Sequence, residues 1–150
     1  MKLAEALQER AALNRQIAQL SARLCANALV QEGESPAEDP AELLVELERC
    51  TSRLETLMAR INHTNCATLS DGESLTDLLA RRDCLNLRLD ALRSFTHEAS
   101  QTVRRARGTE IRILSTMNVK ALQKQTDDLS GMLRRLDNRI QAVNWSTELL

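Results

Sequence analysis

The stretch "RINHTNCAT", residues 60 to 68, holds amides, an imidazole, hydroxyls and a thiol within a short span. Asn62, His63 and Asn65 have the donors and acceptors to bind a small ligand through hydrogen bonds. His63 and Cys66 stand at i and i+3, so a helix would put a thiol and a base on one face. No oxyanion donors accompany them, and the spacing implies no catalysis. The competing reading is structural: Asn and Thr near a helix end serve as caps or as hydrogen bonds between helices, and it is favoured here. The sequence reads as that of a non-enzyme.

Other candidate chemistry is thinner. Cys25, Cys50, Cys66 and Cys84 are scattered with no C-x-x-C pair, which predicts buried reduced thiols rather than a metal or redox site. His63 and His97 are too few and too far apart for zinc. Nucleotide-binding, zinc-ribbon and hydrolase-elbow motifs are missing, and no cofactor is expected.

Any such group must be positioned by helices. Only 1% of the chain is aromatic and Pro occurs twice, while Leu, Ala, Glu and Arg dominate, the usage of long helices or coiled coils. At 150 residues one domain is the prior, with a core built largely of leucine. Lys and Arg number 20 against 21 Asp and Glu, so no overall field draws a nucleic-acid backbone or an anionic membrane. The start "MKLAEALQER" lacks the apolar stretch of an export signal, and no apolar run suffices for a spanning helix, which predicts a cytoplasmic protein.

Four seams recur at three-four spacing. Leu3, Ala6, Arg10, Leu13, Ile17, Leu20 and Leu24 mark a first helix over about 2–31, ended by the acidic loop "QEGESPAEDP". Asp39 is placed to cap a second helix, about 41–65, along Leu43, Leu47, Cys50, Leu54, Leu57 and Ile61. "LSDGES" makes a turn, and Ser74 with Asp77 opens a third helix, about 75–100, through Leu75, Leu78, Leu85, Leu89 and Leu92. Asn118 is placed to cap a fourth, about 118–145, along Leu122, Thr126, Leu129, Leu133, Leu136, Ile140 and Val143. The fold class is mainly α, an antiparallel four-helix bundle or long helical hairpins. Arg10 and Asn27, polar groups on or beside the first seam, could fix register. Trp145 reads as an apolar anchor for the C-terminal end.

Between the third and fourth helices, 102–117 alternates as a strand does, with Ile111, Ile113 and Met117 on one face. A short β-hairpin about Arg107 and Gly108 would pair Arg105 with Glu110, although Arg is a poor residue where positive φ is wanted. An isolated hairpin is marginal in water, so Val103, Ile111, Ile113 and Met117 become the expected interface between subunits. Arg104, Arg105, Arg107 and Arg112 could face the acidic loop of another copy, an attraction that salt would weaken. Thin leucine seams point the same way: each buried Leu contributes roughly 1.5 to 3 kcal/mol while ordering the backbone costs about 1 to 2 kcal/mol per residue, so burial between chains is expected.

Three stretches carry a resemblance: "NALVQEGESPAEDP" from Asn27 to Pro40, "RINHTN" from Arg60 to Asn65, and "NWSTEL" from Asn144 to Leu149. Together they resemble a family of small bacterial helical proteins of uncharacterised function, some labelled septicolysin. The resemblance implies a helical fold, and its label implies a pore-forming toxin. It implies no catalytic residue, and His63 stands where it would imply a basic one. The leading expectation is a cytoplasmic homo-oligomer of structural or interaction type, its partner being its own copies. The alternatives are a membrane-active toxin and a ligand- or metal-binding protein using Asn62, His63 and Asn65.

Overall fold

The computed structural model describes residues 1–102 and 112–150. Four helices account for most of them: α1 (Leu3–Ala26), α2 (Pro40–Ala67), α3 (Leu75–Ala99) and α4 (Val119–Ser146). A two-stranded antiparallel sheet, β1 (Leu69–Ser70) and β2 (Glu73–Ser74), lies between α2 and α3. The chain divides into two compact units, one of Met1–Ser74 with Val143–Leu150 and one of Leu75–Ala142.

In the first unit, α1 and α2 form a close antiparallel hairpin. Leu20, Leu43 and Cys50 are its buried centre, with Leu13, Ile17, Leu24 and Leu47 packed around them. The second seam is legible residue for residue, since Leu43, Cys50, Leu57 and Ile61 are buried and Leu47 and Leu54 half-buried. Across the hairpin, Glu9 takes a two-pronged hydrogen bond from Arg53, at 2.7 and 3.0 Å, and Gln16 Nε2 donates to Glu46 at 2.9 Å. Asp39 caps α2 as its type and place require: its carboxylate accepts the Ala41 N–H at 2.9 Å, and Pro40 fills the first helical position, where a missing N–H costs nothing.

The hairpin lies where the sequence reading had only a turn. In "LSDGES", Leu69 pairs with Ser74 and Ser70 with Glu73, and the connecting Asp71 and Gly72 have φ of 46° and 82°. Both positive angles are what a two-residue hairpin turn needs, and Asp-Gly supplies them cheaply. The expected strand over 102–117 is corrected in its described part, where 112–118 contains no strand. Val103 and Ile111, and the turn proposed at Arg107 and Gly108, lie outside the described residues.

In the second unit, α3 and α4 run antiparallel and farther apart than α1 and α2. Asn118 caps α4 as expected, its Oδ1 accepting the Ala121 N–H at 3.1 Å. Leu78 and Leu89 on α3, and Leu122, Leu129, Leu136 and Ile140 on α4, are buried. Among the described residues the buried polar ones, Thr64 in the first unit and Thr96 and Thr126 in the second, each donate their hydroxyl to the carbonyl four residues earlier, so none of the three enters the interior unsatisfied.

Candidate functional site

The "RINHTN" stretch forms the last turns of α2 and brings its polar groups to different faces. Asn62 and His63 are exposed and Asn65 half-buried, while Thr64 between them is 0% exposed. Thr64 Oγ1 donates to the Arg60 carbonyl at 2.8 Å and accepts the Leu150 N–H at 3.0 Å. Arg60 adds a guanidinium bond to the Leu150 carbonyl at 2.6 Å and a longer one to Leu149 at 3.4 Å. The stretch therefore binds the chain's own "NWSTELL" segment. That role belongs to Thr64, in keeping with the structural reading favoured for the Asn and Thr of this stretch, and to Arg60, which the sequence does not single out.

The same segment is held from its other side by the first residues of the chain. Leu3 N–H donates to the Thr147 carbonyl and Leu149 N–H to the Met1 carbonyl, both at 2.9 Å, making an antiparallel bridge between Lys2 and Glu148. Lys2 Nζ lies 2.7 Å from the Glu148 carboxylate and the Met1 amino group 3.1 Å from it. The anchor expected of Trp145 is supplied instead by Leu149: Trp145 is 54% exposed and Leu149 only 8%.

The acidic loop is fastened at its base. Asn27 Nδ2 donates to the Arg23 carbonyl at 2.9 Å, and Asn27 Oδ1 accepts the Glu38 N–H at 3.0 Å. Arg23 forms an ion pair with Glu38. Asn27 thus ends α1 at Ala26 and ties down the loop, which corrects the helix end expected near 31. At the tip, Glu34 N–H donates to the Gln31 carbonyl at 3.0 Å across a turn whose Gly33 has φ 89°.

These ties are also electrostatic. Hydrogen bonding from Arg53 holds Glu9 below the ordinary carboxylate value, Arg23 does the same to Glu38, and Lys2 with the Met1 amino group to Glu148. Each pair favours the charged form.

Of the cysteines, Cys50 is buried as the seam requires, whereas Cys25, Cys66 and Cys84 are exposed, which corrects the expectation of buried thiols. They lie on helical positions that the three-four seams do not pass through. Among the described residues no three His, Cys, Asp or Glu side chains converge as metal ligands would. No helix among them is long and apolar enough to cross a membrane.

Two surfaces of the second unit remain. Phe95, Ile113 and Leu114 line a hollow of about 230 Å³ where α3 ends and the chain approaches α4. All three are exposed, Leu114 at 77%, and Met117 is exposed nearby in sequence. Between α3 and α4 lies a groove of about 280 Å³ with Leu85, Met132 and Leu136 as its apolar lining and Arg81, Arg135 and Arg139 as its charge. The sequence signal for it was the basic pair at i and i+4 flanking Leu136 on the fourth seam.

The three signature stretches thus share one kind of work: each ties the chain to itself within the first unit. A helical protein with self-fastening signature segments is the class these observations define. The chain belongs to a family of unknown function, DUF6847, whose model matches residues 10–149. It is also similar to a functionally unknown conserved protein from Corynebacterium diphtheriae, known from its crystal structure, at 39% sequence identity. That likeness covers 100% of this chain and 99% of the other, with a TM-score of 0.95. Among curated proteins none matches the chain. The septicolysin label and the pore formation it implies have no counterpart in either description.

Proposed function

We propose that the protein is a cytoplasmic, non-catalytic homo-oligomer, acting through assembly, with the segment 102–117 contributing to contact between copies. The observation that carries this reading is the apolar hollow of Phe95, Ile113 and Leu114. Side chains of this size left in water together form the kind of surface that proteins use to bind one another. Met117, exposed in the same connection, extends the apolar surface in sequence. Val103 and Ile111 complete the proposed set from the sequence pattern alone.

The test is a mass measurement. Ile113→Glu with Leu114→Glu changes two exposed side chains, so the fold is retained, and the oligomer should dissociate in light scattering. Deleting residues 103 to 115 should likewise change the mass. An unchanged oligomer in both variants overturns the reading.

A further inference from the structure

The loop after α1 presents an unusual tip. Leu29 is 90% exposed, the most exposed large apolar side chain among the described residues, and Val30 beside it is also exposed. Next come Glu32 and Glu34, both exposed, and neither carboxylate has a hydrogen bond or ion pair with a described residue. This tip is not slack chain. Its base is fixed by Asn27 and the Arg23–Glu38 pair, and its apex by the Gln31–Glu34 turn about Gly33. A segment held in one shape loses less conformational freedom when it docks.

The groove between α3 and α4 is complementary to it in both respects. Leu85, Met132 and Leu136 offer apolar surface, and Arg81, Arg135 and Arg139 offer positive charge. Arg81 and Arg139 already have interactions within the chain, whereas Arg135 is exposed and has no hydrogen bond or ion pair with a described residue. An apolar pair followed by two carboxylates matches apolar lining edged by guanidinium groups.

We propose that the α3–α4 groove is a docking site for the Leu29–Glu34 tip of a second copy of this chain, with Leu29 and Val30 on Leu85, Met132 and Leu136 and the carboxylates of Glu32 and Glu34 facing Arg135. This deepens the assembly reading and rests on it. One such contact is small, and exchanging tips between two copies would double it while satisfying two-fold symmetry.

Charge reversal tests it in the full chain by sedimentation velocity, with circular dichroism confirming the helical fold of each variant. Glu32→Lys with Glu34→Lys should weaken association more than about tenfold, and Arg135→Glu should do the same. Mixing these two variants, or combining the changes in one chain, should restore association, because each reversed tip then meets a reversed groove. If the loop variant associates as the unaltered chain does while Arg135→Glu does not, another segment fills the groove and the proposal is overturned. If both reversals leave the mass unchanged while the Ile113→Glu, Leu114→Glu variant lowers it, the groove proposal falls and the assembly reading stands. A monomer for the unaltered chain at every concentration overturns both.

Discussion

The two units use the same helical material differently. In the first, α1 and α2 pack closely, and polar ties fasten each end: Arg53 to Glu9, Arg23 and Asn27 around Glu38, and Arg60 with Thr64 on the last residues. In the second, α3 and α4 stand farther apart, Arg93 reaches Ser130 only at 3.4 Å, and an apolar, basic groove opens between them. Arg23, Asn27, Arg53, Arg60 and Thr64 are thus spent on holding the first unit together. Exposed apolar side chains gather in the second unit, at Phe95, Ile113, Leu114 and Met132, and on the loop tip at Leu29 and Val30.

Core truncation should separate the units most strongly. Leu57 is fully buried on α2, so Leu57→Ala should cost about 2–5 kcal/mol, whereas Leu85→Ala, half-buried beside the groove, should cost clearly less; urea unfolding of both variants gives the comparison. Equal losses would mean that the second unit is packed as tightly as the first.

Next in size is the fastening of the C-terminal segment. Thr64→Val keeps the shape but removes the acceptor for the Leu150 N–H and the donor to Arg60, which should cost about 1–3 kcal/mol. Amide exchange should quicken at Leu149 and Leu3, whose N–H groups lie in the bridge, and stay unchanged in α3.

Helix caps should behave alike in both units. Asp39→Ala and Asn118→Ala each remove one side-chain acceptor, and each should cost about 0.5–2 kcal/mol in thermal unfolding. A large gap between them would show that one helix start is held by something other than its cap.

The smallest effect is acid sensitivity. Glu9, Glu38 and Glu148 have pKa values lowered by their hydrogen bonds in the folded chain. A group of this kind contributes stability above its unfolded pKa and loses it as pH falls through the folded value. The melting temperature should therefore decline as pH drops below the ordinary carboxylate value of 4.5, and less so in a chain with all three changed to Gln. These pairs are exposed, so added salt should shrink the difference.

How legible the molecule was in its sequence follows from distance along the chain. The helix starts at Asp39 and Asn118 were readable because a cap acts within three residues. The leucine seam of α2 was readable because periodicity is local too. The end of α1 was misplaced because Asn27 stops it by bonding to Glu38, a contact set by how the loop returns. Asp71-Gly72 was a sufficient hairpin signal, yet the alternating pattern of 102–117 drew the strand assignment away from it. A structural role for Thr64 was legible from its place near a helix end, but its partner, Leu150, was hidden because it is far off in sequence and only folding brings the two together. The α4 side of the groove had a local signal in Arg135 and Arg139, but its α3 side, Arg81 and Leu85, is far off in sequence and joins it only on folding.

The central claim is that this chain works by assembling with itself. Sedimentation velocity of the unaltered protein across a wide concentration range tests it most directly. The account predicts a mass above the 16.8 kDa of one chain that rises with concentration. A single compact 16.8 kDa species at the highest concentration would contradict it.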